Sequence, residues 1–99
     1  MPARIPIPTA EIAEVCRRHR VRRMALFGSV IRDDFTPQSD VDVLVEYEPG
    51  HAGGFEFFRM RRELMAMLGR EVDMHTAASL SPYFRQEVLD EAEEIYVAP

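Results

Sequence analysis

Met24-Ala25-Leu26-Phe27-Gly28-Ser29, then ten residues, then Asp40-Val41-Asp42 is the stretch that decides the fold of this 99-residue chain. Met24 to Phe27 is an apolar run that reads as a buried strand closed by Gly28. Ser29 opens Val30-Ile31-Arg32-Asp33-Asp34, a short helical-looking segment. Glycine lets an anion approach the backbone, and the free N–H groups of a helix start bind phosphate. A second strand is predicted from Asp40 to Tyr47. Its two-residue period puts Asp40 and Asp42 on one face and Val41, Val43 and Val45 on the other. Two hard oxygen donors beside a phosphate cradle suit Mg²⁺ with a nucleoside triphosphate.

Outward from this core, residues 1–8 carry three prolines and read as an extended arm, leaving residues 9–99 as one domain. Thr9 is a candidate N-cap for a helix to about His19, with Ile12, Val15 and Cys16 on its inner stripe. The first strand spans Val21 to Gly28, and Pro49-Gly50 stops the second. After a loop with Gly50, Gly53 and Gly54, a longer helix runs from about Phe55 to Leu68 and ends at Gly69. Phe57, Met60, Leu64, Met67 and Leu68 fall at helical spacing and read as core. Glu71 to Thr76 is a third strand, and Ser81-Pro82 starts a helix to about Asp90. Ile95-Tyr96-Val97 is an edge strand or a docked terminus. This order predicts an α/β (α+β) domain: a small mixed β-sheet flanked by helices.

Composition narrows the function class. A net charge of −5 argues against binding nucleic acid through its phosphates. No apolar run has the length of a membrane span. The N-terminus lacks a signal-peptide core, and the single Cys16 cannot form an internal disulfide, so a cytoplasmic location is expected. Cys16 reads as a small core residue.

Two-metal phosphoryl transfer holds its ions about 3.5–4 Å apart and needs more than two carboxylates. The third strand offers another: in Glu71-Val72-Asp73-Met74-His75, Glu71, Asp73 and His75 share a face. Paired beside the second strand, Asp73 would face Asp40 and Asp42, and three clustered carboxylates call for cations. Asp73 is also a candidate base for an attacking hydroxyl. Taken alone it would be a solvated strand residue; beside the aspartate pair, the ligand role is favoured. His75 could touch the site or be a structural strand histidine. No Gly-x-x-x-x-Gly-Lys-Ser/Thr is present, which removes P-loop chemistry.

Gly28-Ser29, ten residues, Asp40-Val41-Asp42 and the isolated Val72-Asp73 strand together resemble the minimal nucleotidyltransferases of the DNA polymerase β-like superfamily. The resemblance runs from about Thr9 to Val97. It implies that Gly28 and Ser29 hold nucleotide phosphates and that Asp40, Asp42 and Asp73 are catalytic and hold Mg²⁺, two ions being expected. Arg32 matches an arginine common in the family and would contact phosphate, or else pair with Asp33 or Asp34. Where the family often has Gly after that arginine, this chain has Asp33. The implied chemistry is attack of a hydroxyl on the α-phosphorus of a nucleoside triphosphate, with release of pyrophosphate.

The chain ends soon after its last predicted helix, so no acceptor-holding domain is expected, and the acceptor would come from a partner. Stand-alone members of this size resemble antitoxins paired with HEPN-domain ribonuclease toxins. The resemblance then implies transfer of AMP from ATP to a tyrosine of the toxin within a hetero-oligomer. The competing readings are an antitoxin that only binds and occludes its toxin, and a nucleotidyltransferase acting on a small molecule. Candidate partner surfaces are the loop His51 to Phe55 and the basic run Arg17-Arg18-His19-Arg20 with Arg22 and Arg23. Glu87, Asp90, Glu91, Glu93 and Glu94 are expected on a solvated acidic face.

Overall fold

Four strands make one sheet in the order β3-β2-β1-β4. The computed structural model describes residues 5–51 and 54–99. Along the chain run α1 (Thr9–Arg18), β1 (Val21–Phe27), a 3-10 turn (Gly28–Ile31), β2 (Val41–Tyr47) and α2 (Gly54–Leu68). There follow β3 (Val72–His75), a second 3-10 turn (Ala77–Ser79), α3 (Arg85–Glu91) and β4 (Glu93–Val97). β1 pairs antiparallel with both β2 and β4, while β3 lies parallel to β2. A parallel pair needs a crossover, and α2 supplies it. The expected mixed sheet with flanking helices is what forms.

The sheet has two unlike faces. On one, Met24, Leu26, Val43, Val45, Val72 and Met74 join Ile12, Val15 and Cys16 of α1 and Met60 and Leu64 of α2 in a single core. Ile5 and Ile7 also pack against it, so this part of the expected arm lies on the body of the protein; residues 1–4 fall outside the described residues. On the other face, Ala25, Phe27 and Leu44 form a small cluster flanked by Leu80, Val88 and Ala92. That second face, thinly covered, carries the acidic residues.

Several element boundaries differ from expectation. Thr9 is inside α1, not its cap: Pro8 occupies the cap, which has no side-chain hydrogen bond, and Pro8 O accepts from Ile12 N–H at 2.9 Å. β1 stops at Phe27 because Gly28 turns to φ +74°. The segment after Ser29 is one 3-10 turn, with Arg32 extended at φ −124° and ψ 171°. The last helix begins at Arg85 rather than Ser81. Ahead of it, the Arg85 guanidinium donates to the Ala77 and Leu80 carbonyls at 2.8 and 3.1 Å, stitching a turn where helix was expected. The tail is a true edge strand, β4.

Candidate active site

Phe27 of β1 faces Asp42 of β2, and Asp42 faces Asp73 of β3, so three strands deliver their side chains to one place. Residues directly opposite in a sheet share a face. Ala25, Phe27, Asp42, Leu44, Asp73 and His75 therefore line the thinly covered side, while their neighbours in sequence enter the main core.

The turn after β1 closes over this row. A Cβ built on Gly28 would overlap Asp42 Oδ2, and the residue's φ of +74° is one that L side chains rarely adopt. Only glycine lets the turn lie this close to the Asp42 carboxylate without strain. Val30, fully buried in the core, anchors the turn, and Ser29 stays partly accessible beside it.

Asp42, Asp73 and His75 each offer a ligand atom, all within 4.8 Å of one another. His75 Nε2 stands 3.2 Å from Asp73 Oδ2 and 4.0 Å from Asp42 Oδ1. The imidazole rests edge-on against Phe27, with ring centres 5.4 Å apart. Asp40, expected beside Asp42, is exposed at the entrance to β2 and is not within that group. Its charge still reaches the site. Burial pushes the Asp42 carboxyl above the usual carboxylate range, and the negative charge of Asp73 and then of Asp40 adds to the push against His75 and Arg32. Burial and neighbouring negative charge oppose ionisation of Asp42, and a divalent cation would relieve that opposition, so this donor set fits one.

Arg32 reaches a partner far along the chain. Its Nη2 lies 3.4 Å from Glu91 Oε1, and the same oxygen accepts from Gly28 N–H at 3.4 Å. Glu91, expected on a solvated acidic face, instead turns its carboxylate to the Gly28 turn and Arg32. Glu91 is 63 residues from Gly28, and nothing local in the sequence signals the contact. Beyond Asp42 on the same face, Ala25, Leu44, Thr76, Leu89 and Ala92 help line a groove that contains none of the three ligand-bearing residues.

Four of the six residues of the basic run make internal pairs. Arg18 bridges to Glu63 at 2.9 Å, Arg22 to Glu46 at 3.7 Å and Arg23 to Glu94 at 2.7 Å. His19 is wedged between Glu56 and Glu63 at 3.2 and 2.6 Å. Of the loop His51 to Phe55, Ala52 and Gly53 lie outside the described residues, and Phe55 is exposed at the start of α2. No described helix is long and apolar enough to cross a membrane.

The nucleotidyltransferase domain family matches residues 10–95. The protein adenylyltransferase MntA of Thermococcus cleftensis is 35% identical over 91 residues, covering 92% of this chain and 89% of that protein. A solved structure described as a minimal nucleotidyltransferase superposes with a TM-score of 0.72 at 34% identity, over 85% of each chain. A chain from the tri-AMPylated HEPN toxin of Shewanella oneidensis in complex with its MNT antitoxin superposes with a TM-score of 0.65. At 20% identity over 91% of this chain and 70% of that one, the last likeness is one of fold.

Proposed function

This chain belongs to the nucleotidyltransferase domain family, among its minimal nucleotidyltransferases, and we propose that it is an antitoxin that transfers AMP from ATP to a tyrosine hydroxyl of a HEPN ribonuclease toxin. The observation that carries this reading is the seating of Gly28 against Asp42, with Asp73 as the register partner of Asp42. A phosphate chain laid on the Gly28 turn would thereby sit beside both carboxylates. The Thermococcus relative's name and the AMPylated toxin of the Shewanella complex support the choice of acceptor class.

In the proposed reaction the tyrosine oxygen bonds to the α-phosphorus of ATP. The bond from that phosphorus to the bridging oxygen of the β-phosphate breaks, and pyrophosphate leaves. The hydroxyl proton passes to a carboxylate, for which Asp73, more exposed than Asp42, is the candidate base. Gly28 N–H and Ser29 hold the phosphates, and Arg32 adds a positive charge near them. Mg²⁺ held by Asp40, Asp42 and Asp73, two ions in this reading, would offset the negative charge that builds on the transferring group. Positioning supplies much of the remaining acceleration.

Antitoxin action by occlusion alone would need neither the glycine turn nor the paired carboxylates. The deciding experiment is intact-mass analysis of the co-purifying partner after incubation with this chain, ATP and Mg²⁺. A gain of one or more AMP groups, absent with Asp42→Asn, is expected. A tight complex whose mass never changes would replace transfer with occlusion.

A further inference from the structure

His75 stands where a metal ligand would stand. It follows Asp73 by two residues on β3, so the strand period returns it to the same face. In register it lies opposite Leu44, one step along the row from Asp42. Its side chain is 27% exposed and braced by the edge contact with Phe27, so the ring is held in place while its nitrogen faces the carboxylates.

The distances suit shared coordination. With metal–ligand bonds of about 2.1 Å, neighbouring ligand atoms on an octahedral ion stand about 3.0 Å apart and opposite ones about 4.2 Å. Nε2 lies 3.2 Å from Asp73 Oδ2 and 4.0 Å from Asp42 Oδ1. Asp40 is absent from the set of mutually close donors, which leaves His75 as its third member.

We propose that His75 ligates a metal ion together with Asp42 and Asp73, and that this mixed nitrogen–oxygen site takes a first-row transition ion such as Mn²⁺ in preference to Mg²⁺. Mg²⁺ holds to oxygen and water ligands, whereas the first-row transition ions accept an imidazole nitrogen more readily, Mn²⁺ the least of them and still more than Mg²⁺. The inference rests on the reading of Asp42 and Asp73 as metal ligands and adds a donor and a metal preference to it. The rival account is a bare His75–Asp73 contact that plays no part in coordination.

Pulsed electron paramagnetic resonance on the full chain separates the two. The probe is Mn²⁺, in the presence of a non-hydrolysable ATP analogue, with the histidines labelled with ¹⁵N. The expected result is a coupling between Mn²⁺ and histidine ¹⁵N that disappears in His75→Gln and His75→Ala. Both variants are expected to keep a native circular dichroism spectrum and to bind Mn²⁺ more weakly, with the Mn²⁺-over-Mg²⁺ affinity ratio falling about tenfold or more. Glutamine keeps a polar group of similar reach if alanine fails to fold. No histidine coupling in the wild type, or an unchanged affinity ratio in folded His75→Gln, overturns the proposal. Asp42→Asn tells the two failures apart: if it abolishes Mn²⁺ binding while the His75 variants change nothing, the carboxylate site stands and only the role of His75 falls.

Discussion

Gly28 and Asp42 are in such close apposition that a single methyl group on the first would collide with a carboxylate oxygen of the second. The contact joins the turn after β1 to β2 through a position where any side chain is excluded twice, by space and by backbone angle. Gly28→Ala is accordingly expected to lower stability by about 1–3 kcal/mol, the usual size of a strained backbone conformation. It should also abolish Mg²⁺-dependent nucleotide binding. Denaturant titration and nucleotide titration check the two effects; wild-type values in both would mean that the turn does not need its present shape.

Glu91 holds the cradle that a triphosphate would need. Its carboxylate meets both Gly28 N–H and the Arg32 guanidinium at 3.4 Å, contacts long enough to be displaced. Glu91→Gln removes the negative charge from the cradle and is expected to tighten ATP binding by up to about fivefold, the scale of a partly exposed ion pair. Calorimetric titration at low and at high salt reads this directly. Weaker binding in the variant would make Glu91 a support for the nucleotide and not its competitor.

The junction of α1 with α2 predicts a pH dependence. Burial alone would raise the Glu63 carboxyl, but hydrogen bonds from His19 and Arg18, with their charges, hold it below its ordinary value of 4.5. A carboxyl depressed in the native state contributes stability above the unfolded-chain value and loses it as pH falls through the native one. Glu63→Gln should therefore be less stable than wild type at neutral pH, and the gap should close below about pH 4.5. Thermal melts of both proteins across that range test it; a gap that stays constant with pH would assign the loss to packing.

Cys16 is fully buried, and burial pushes its thiol up to about 12. Thiolate is the reactive form, so a disulfide reagent at pH 8 is expected to leave the native protein unlabelled and to label it fully in denaturant. Rapid labelling without denaturant would reveal opening between α1 and the sheet.

Much of the site could be read because strand periodicity is a local signal. Asp42 alternates with Val41 and Val43, and Asp73 with Val72 and Met74, so the chain itself states which face each carboxylate takes. The pairing of those strands was an added assumption, and the parallel register of Asp42 with Asp73 fulfils it. Asp40 shows where the signal stops. It shares the parity of Asp42 but lies before the first paired residue of β2, where no ladder fixes its direction. Glu91 was illegible for a different reason: its partner at the cradle comes from the opposite end of the chain, and a run of acidic residues looks solvated whichever of them turns inward. Ser81-Pro82 carried a strong helix-start signal, yet the Thr76–Ser79 capping box and the Arg85 ties take up that segment as turns.

β3 is four residues long, lies at the edge of the sheet and carries two of the three clustered donors. Beyond its ladder with β2, Arg61 clips it to α2 through the Val72 carbonyl at 2.7 Å. Short edge strands open at a free energy below that of global unfolding. Catalytic competence and foldedness are thus separable in this molecule: fraying one margin would dismantle the donor set while the α1–α2 core stayed intact. An ion bound between Asp42 and Asp73 would act as a rivet across that margin, slowing amide exchange in β3 more than in β1 and coupling the working state of the protein to the divalent ions around it.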